Sequence, residues 1–297
     1  MNWELLFQLI INGLIIGTLY GVVAACFVLI YKATQVINFA QGDFVYLGAA
    51  VCWSFVVSWQ IPFWFAFPLT FVFMALFGFL VQRVLLKPMI GEPLISVIML
   101  TIGISLVLQK LLTWIYTATP LSFPQVFSTQ QVDIGPLTIE SAYLMSMAIS
   151  LFIMVAFYLF FKYSRYGLAM RATAFNQQTA QSLGISVNNV FTMSWIIASV
   201  VSALAGVVIG IVNGVSPALA FVGIKVFPVV ILGGLDSIVG SIIGGLIIGV
   251  LENLAEFMDS QIFQIGNMYA IAPFWILIII LMIKPYGLFG TKDIERS

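Results

Sequence analysis

Long apolar stretches recur along the whole chain, and they constrain its fold more than any other feature of the sequence. A helix needs about 20 mostly apolar residues to cross the hydrocarbon core of a bilayer. Eight apolar stretches are present, and all but the last reach this length: Leu5–Tyr31, Val36–Trp59, Pro62–Leu86, Leu94–Tyr116, Ala142–Phe161, Val190–Val212, Phe221–Leu254 and Ile271–Ile283. Only 7% of the 297 residues are charged, against roughly a quarter in a soluble domain. The sequence therefore predicts an all-α, polytopic membrane protein that is embedded in a lipid bilayer.

The seventh stretch is too long for one untilted crossing. Gly233, Gly234 and Asp236 interrupt it, and a membrane helix tolerates such a break where the freed backbone is buried in protein. We therefore predict a broken helix there, and a helical bundle of eight or nine transmembrane helices. The bundle forms one transmembrane domain over residues 1–297.

The positions of the basic residues predict the orientation, because Lys and Arg accumulate in cytoplasmic loops. If successive junctions lie on alternate sides, only Lys110 and Lys225 depart from this rule. The other nine basic residues fall on one side: Lys32, Arg83, Lys87, Lys162, Arg165, Arg171, Lys284, Lys292 and Arg296. The N-terminus is then outside, Thr117–Thr138 is an external loop, and the C-terminus is cytoplasmic.

One cytoplasmic segment, residues 162–189, is long enough to dock a partner. Its composition is that of a solvated loop, yet Arg171–Leu183 contains neither Gly nor Pro. Such a stretch is compatible with a helix. We therefore predict a helical docking element on the cytoplasmic side.

A shift of 193 residues aligns parts of the chain with each other and raises the hypothesis of an internal repeat, with residues 1–100 matching 194–290. The shift pairs Gly13 with Gly206, Gly17 with Gly210, Gly21 with Gly214, Lys32 with Lys225, and Asp43 with Asp236. If the second unit is inverted, as in many transporters, Lys225 faces outside where Lys32 faces inside. The glycines at spacing four predict close helix packing.

Ionisable residues in the apolar stretches are costly unless they are paired or face water. The candidates are Asp43, Lys225, Asp236, Glu252 and Glu256. Each lines a solute pathway, lies at a membrane boundary, or forms a pair that fixes the helix register. Thr101, Ser105 and Gln109 share one helical face, which either lines an aqueous route or hydrogen-bonds a neighbouring helix.

Several function classes lack the residues that they require. The sequence has no G-x-x-x-x-G-K-[ST] phosphate loop and no histidine, so neither an ATPase site nor a histidine-based catalytic or metal site is expected. Cys26 and Cys52 lie in apolar stretches and are interpreted as packing residues. We predict a chain that is not an enzyme and that has no metal, no cofactor of its own and no nucleic-acid partner.

Four sequence blocks carry a resemblance to a known family. They are TQVINFAQGD at 34–43 with LGA at 47–49, RYG at 165–167 with Arg171, Asn176, Ala180 and Gly184, GGLDSIVG at 233–240, and KPYGLFG at 284–290. Together they resemble the branched-chain amino acid ABC permeases of the LivH type. Two positions depart from the family pattern: Gln41 stands where many members carry a histidine, and Thr179 stands where an acidic residue is common.

The resemblance implies a permease subunit of an ATP-binding-cassette importer in the bacterial inner membrane, which carries Leu, Ile, Val or related small polar solutes. It implies four partners, namely a homologous second permease subunit, two ATPase subunits that hydrolyse ATP, and an extracytoplasmic solute-binding protein. The ATPase coupling residues would be Arg165, Gly167, Arg171, Asn176, Ala180 and Gly184. The translocation pathway would contain Asn38, Gln41, Asp43, Thr101, Ser105 and Asp236.

Three other functions stay open at this point. Members of the same family carry urea, short amides or other amino acids, and Gln41 leaves the solute undecided. An ion-coupled secondary transporter also has intramembrane carboxylates and inverted repeats, although it does not need the docking element. A passive channel would conduct without any partner.

Overall fold

The computed structural model describes residues 3–116, 119–124, 126, 130–134, 137–264, 266 and 268–290. Within them the chain forms eleven α-helices and one antiparallel hairpin of two strands. The helices are α1 Trp3–Thr34, α2 Gln41–Trp53, α3 Phe63–Leu80, α4 Leu94–Tyr116, α5 Ser141–Tyr163, α6 Arg165–Phe175, α7 Gln177–Ser182, α8 Val187–Asn213, α9 Phe221–Gly233, α10 Ile238–Met258 and α11 Met268–Ile283. The strands are β1 Gln131–Ile134 and β2 Leu137–Glu140.

The apolar helices confirm a polytopic helical membrane protein. Six spans in the described part of the chain are long and apolar enough to cross a bilayer: Phe7–Thr34, Phe63–Met89, Leu94–Tyr116, Ser141–Tyr163, Val187–Asn213 and Ile238–Ile262. Pro217–Gly233 and Met268–Ile283 are shorter apolar helices, and a π-helical turn extends α2 to Ser58. The predicted number of eight to nine crossings is thus an approximate one. The hairpin begins in the predicted external loop and ends two residues after it, at Glu140; no strands were predicted there.

The predicted break in the seventh stretch is confirmed. Helix α9 ends at Gly233 and α10 begins at Ile238. The intervening turn is covered by the segment after α11, where Leu288 N–H donates to the Leu232 carbonyl at 2.7 Å and Phe289 N–H to that of Gly233 at 3.1 Å. The break is therefore buried in protein, which satisfies part of its backbone.

Glycines form the contact between α1 and α10, which run antiparallel. A Cβ at Gly249 would lie 2.4 Å from the carbonyl oxygen of Gly13, and one at Gly245 would lie 2.6 Å from the backbone nitrogen of Gly21. Only glycine permits two helix backbones to approach this closely. The packing interpretation of this stripe is confirmed. Gly214 is different, because it follows α8 with φ of +80° and ends the helix.

Two further helices begin inside the bundle and meet at their first turns. Helix α1 ends at Thr34 and α2 begins at Gln41 after a non-helical segment, residues 35–40. A Cβ at Gly42 would lie 2.0 Å from the Ala220 carbonyl oxygen, and one at Gly223 would lie 2.6 Å from the Gly42 nitrogen. The N-terminal turns of α2 and α9 are therefore in backbone contact.

Replacing Gly42 with Ala is expected to lower the free energy of unfolding by about 2–3 kcal/mol, because the added methyl group overpacks this contact. Gly103→Ala in α4 is the matched control, since no atom of the described residues lies within 4 Å of a Cβ there. We expect the control to be neutral or slightly stabilising through helix propensity. Thermal unfolding of the purified protein in lipid nanodiscs measures both. Equal melting temperatures for the two variants would contradict the close contact.

The 193-residue repeat stays a prediction. Its offset aligns the non-helical residues 35–40 with 228–233 (35 + 193 and 40 + 193), which lie within α9. Lys32 is in the last turn of α1, whereas Lys225 is inside α9. The aligned lysines therefore lie in different local structures.

Candidate functional site

A buried polar cluster lies where residues 35–40 meet α2 and α8. Asn38 Nδ2 donates to Gln41 Oε1 at 3.0 Å, and Gln41 Nε2 donates to Ser202 Oγ at 2.5 Å. The Asn38 side-chain oxygen accepts from the Ala40 N–H at 3.1 Å. All three polar side chains are buried. These hydrogen bonds fix the start of α2 against α8, and they satisfy amides that would otherwise be costly to bury.

Helix α4 joins the same cluster through its hydroxyl groups. The Thr101 hydroxyl lies 3.2 Å from the Ile37 carbonyl oxygen, and the Ser105 hydroxyl donates to Asp43 Oδ2. Asp43 is only 3% exposed, and its Oδ1 has no hydrogen-bond partner in the described part of the chain. In this chain, Thr101 and Ser105 therefore hydrogen-bond neighbouring segments, as one interpretation of this helical face predicted. The other interpretation, that the face lines an aqueous route, stays a prediction.

Asp236 does not belong to this cluster, although the sequence grouped it with the other five residues. It lies in the turn between α9 and α10, where its backbone carbonyl accepts from Lys32 Nζ at 2.8 Å. There it lines a cavity of about 760 Å³ beside α6. The reason is topological: α9 begins at the cluster and ends at this turn, so its length separates Asp236 from Asp43.

Two of the predicted intramembrane ionisable residues form an ion pair. Lys225 of α9 contacts Glu252 Oε1 of α10, and the Tyr20 hydroxyl of α1 lies 3.4 Å from Lys225 Nζ. The Tyr269 ring of α11 lies 4.9 Å from the same nitrogen. The pair thus joins four helices and fixes their register. Glu256, also a candidate, is exposed.

The predicted docking segment folds as two short helices instead of one. Asn176 separates α6 from α7, because its side chain accepts the Thr179 N–H at 2.8 Å and so caps α7. Ser164 caps α6 in the same way, by accepting the Gly167 N–H at 2.9 Å. Gly184, with φ of +84°, follows α7 and ends it.

Some of the predicted coupling residues hold the segment together and do not face outward. The Arg171 guanidinium donates to the carbonyl groups of Phe161 and Lys162 at the end of α5, a favourable position for a cation. A Cβ at Gly167 would lie 2.2 Å from the Phe161 carbonyl oxygen. Ala180 is only 2% exposed. Arg165, Asn176 and Gly184 are exposed.

Two exposed apolar side chains, which were not predicted, flank α7. Phe175 is 94% exposed and Leu183 is 75% exposed. Large apolar side chains left open on an otherwise polar segment are typical of an interaction surface. The available signal was weak: two apolar residues in a segment composed mostly of Gln, Asn, Ser and Thr.

A family model identifies the family of this chain. The family model described as "Branched-chain amino acid transport system / permease component" matches residues 9–283. The chain belongs to this family. The match covers α2, the polar cluster, the α6–α7 segment and the ion pair, so these features lie within the permease domain.

Full-length relatives agree with the family. The permease is 29% identical to the high-affinity branched-chain amino acid transport system permease protein LivH of Escherichia coli K12, over 97% of both chains. It is 28% identical to BraD of Pseudomonas aeruginosa, over 97% of both chains. It is 29% identical to a probable LivH of Methanocaldococcus jannaschii, over 97% of this chain and 95% of that one. The family resemblance found in the sequence is confirmed.

A solved structure shares the fold of the permease. PsaBC from Streptococcus pneumoniae in complex with Fab aligns with a TM-score of 0.52 and 15% identity, over 94% of this chain and 92% of that one. At this identity the likeness concerns the fold alone. It shows that the arrangement of helices seen here also occurs in a solved protein.

Proposed function

We propose that the permease is the membrane-spanning subunit of an ATP-binding-cassette importer for branched-chain amino acids. The observation that carries this proposal is the similarity, over 97% of the chain, to proteins named as high-affinity branched-chain amino acid transport permeases. The α6–α7 segment supports it, because an exposed apolar surface beside the bundle suits a docked ATPase. A secondary carrier or a passive channel has no need of such a surface.

The basic residues favour an orientation in which α6 and α7 face the cytoplasm. The described residues contain six long apolar spans, two shorter apolar helices and the buried helix α2, which together are α1 to α5 and α8 to α11. If each crosses the membrane, an odd number of crossings places the N-terminus outside and the C-terminus in the cytoplasm. Lys292 and Arg296, which contributed to the predicted orientation, lie outside the described residues.

The proposed complex divides the work between chains. A second, homologous permease subunit completes the membrane domain, two ATPase subunits bind the α6–α7 segments, and an extracytoplasmic solute-binding protein delivers the solute. ATP is hydrolysed in the partner subunits, so this chain needs no cofactor of its own. Closure of the ATPases would shift α6 and α7 and move the packed helices between outward-facing and inward-facing arrangements.

The polar cluster is the proposed part of the pathway within this chain. Asn38, Gln41, Asp43, Thr101 and Ser105 place amide, carboxylate and hydroxyl groups at the start of α2. The pathway role is supported by the burial of these side chains inside the membrane domain. Polar groups cost free energy when they are buried there, and they are usually functional. Asp236 would act separately, at the cytoplasmic end.

Asp43→Asn is expected to lower the uptake rate at least about tenfold, a change of roughly 1.4 kcal/mol in the barrier, because it removes the charge and keeps the shape.

Ser105→Ala is expected to reduce stability by about 1–3 kcal/mol, since Asp43 loses its hydrogen-bond donor. Ser146→Ala is the control, because this buried hydroxyl bonds the Ala142 carbonyl of its own helix. Uptake into vesicles and thermal unfolding measure these effects. Normal uptake by Asp43→Asn would remove Asp43 from the pathway.

Purification of the complex from its host tests the proposed function. The co-purifying subunits should include two ATPases and a binding protein, and the binding protein should be titrated with Leu, Ile, Val, urea, and acidic and aromatic amino acids. Binding of Leu, Ile or Val is the expected result. Uptake that survives ATP depletion but not an uncoupler would identify a secondary carrier instead. Solute flux through the reconstituted chain alone would identify a channel.

A further inference from the structure

A cavity of about 760 Å³ lies at the cytoplasmic end of the proposed pathway, where four parts of the chain meet. Its walls come from the end of α1, from α6, from the turn between α9 and α10, and from the segment after α11. This volume is typical of a site for a small ligand. The cavity also contacts the proposed coupling segment directly, because Arg171 and Phe175 of α6 form part of its wall.

Two cations are held together in this cavity by one aromatic ring. Lys32 Nζ and the Arg171 guanidinium each lie 5.6 Å from the centre of the Phe161 ring. Lys32 is attracted electrostatically by Asp236 and, less strongly, repelled by Arg171. The lining therefore carries a formal charge of +1, from two cations and one carboxylate. A cluster of this kind favours an anionic group between the two cations.

Both cations keep hydrogen-bond donors for such a group. Among the described residues, the two hydrogen bonds of Arg171 to the end of α5 both use Nη1, and the same guanidinium has further N–H donors at Nη2 and Nε. Lys32 donates to the Asp236 carbonyl, which uses one of the three donors of its ammonium group. A carboxylate can therefore be bound without breaking the contacts that position either side chain.

The rest of the lining is chemically mixed. Ile231, Leu235 and Pro285 provide apolar surface, Asp236 provides a carboxylate, and there are three further polar side chains, Tyr31, Gln35 and Tyr286. This combination matches a zwitterionic amino acid with an aliphatic side chain: the carboxylate faces Lys32 and Arg171, the ammonium faces Asp236, and the side chain contacts Ile231 and Leu235. An anion with a long polar headgroup would leave the apolar wall unused.

We propose that this cavity is a regulatory site that binds an aliphatic amino acid from the cytoplasm and slows import. The proposal rests on the proposed function, because the ligand is the transported solute class. A ligand in the cavity bridges α6 to α1 and to the turn between α9 and α10. The ligand therefore favours the arrangement of α6 in which it contacts every wall of the cavity, and it shifts the population toward that arrangement.

The test uses the assembled complex in vesicles with the ATPases facing the lumen and leucine loaded inside. We expect internal leucine to reduce the initial rate of ATP-driven uptake at least about fivefold, the lower end of common allosteric couplings. Leucine amide, which lacks the carboxylate, should have no effect. Lys32→Gln should retain less than about a twofold effect relative to its own rate without internal leucine, and Lys32→Arg should restore the inhibition.

Lys162→Gln is the matched control. Lys162 lies at the same end of the bundle over the rings of Tyr158 and Tyr163, yet its side chain is not part of the cavity wall. Its inhibition by internal leucine should equal that of the wild type. If Lys32→Gln does not fold, Ala174→Phe, which fills the cavity from α6, should abolish the inhibition instead.

The outcomes separate this proposal from the proposed function. ATP-driven leucine uptake that internal leucine does not slow would overturn the regulatory site alone. The absence of any such uptake in the wild type would overturn both. Vesicles with neutral or anionic lipids provide the last comparison: an effect of Lys32→Gln that follows the lipid charge and not internal leucine would assign the cavity to a lipid headgroup and reject the proposal.

Discussion

Leu183→Asp is expected to abolish ATP-driven uptake while the permease still inserts and folds. Leu183 is 75% exposed, so its replacement removes little burial within this chain. If Leu183 packs against an ATPase, however, the variant places a charge in an apolar contact. Loss of a central apolar contact costs about 2 kcal/mol or more in an interface, which is roughly a 30-fold loss of affinity. Co-purification of the ATPases and uptake in vesicles measure the two consequences.

Ile90→Asp provides the matched control for this variant. Ile90 is also apolar and exposed, and it follows α3 in the turn before α4, outside the α6–α7 segment. We expect the control to bind the ATPases and to transport as the wild type does. If both variants fail, the effect reflects charge at this end of the bundle in general. If neither fails, α7 is not the docking element.

Leu183→Asp is a better test of the docking segment than the variant that the sequence alone would favour. Ala180→Glu is a natural choice from the family pattern, but Ala180 is buried. A glutamate there would disrupt the packing of α7 and would abolish transport for a structural reason. Exposure makes Leu183 the more informative position.

Lys225→Leu is expected to lower the free energy of unfolding by about 3–5 kcal/mol, because Glu252 is left as an unpaired charge in the bundle. Glu252 is buried, and its Oε2 already has no hydrogen-bond partner within the described residues. Glu252→Leu should cost a similar amount. The double variant Lys225→Leu/Glu252→Leu should recover most of the loss, since no isolated charge is left. Thermal unfolding in nanodiscs measures all three.

Lys110→Leu is the control for this cycle. Lys110 is an exposed cation in α4, so removing it should change stability by less than about 0.5 kcal/mol. Additive effects of the two single variants in the double variant would show that Lys225 and Glu252 act independently. That result would contradict the ion pair.

Much of the helical framework was predictable from the sequence. Apolar stretches gave the helices, because each membrane helix must satisfy its own backbone hydrogen bonds and this is a local property. The break before α10 was predictable for the same reason, since Gly233, Gly234 and Asp236 interrupt an apolar run. The glycine stripe of α1 predicted close packing, but its partner α10 could not be inferred, because every apolar helix is an equally plausible neighbour in lipid.

The candidate site was only partly predictable. The motif around Asn38 and Asp43 located it, and the repeated spacing of Thr101 and Ser105 indicated a polar face. Gln41 bonds Ser202, which is 161 residues away, and nothing in the local sequence distinguishes that serine from the others. Asp236 was grouped with the cluster by residue type, whereas the path of α9 places it elsewhere.

The sequence by itself determined that the chain is a helical membrane protein, where its helices lie, and to which family it belongs. Only the tertiary structure decided which polar groups meet: Asp43 with Ser105, Lys225 with Glu252, and Lys32 with the turn at Asp236. The physical reason is that helix formation in a membrane follows from local composition. The pairing of side chains depends on which helices pack together and at what depth, and this is set by contacts between residues far apart in the chain.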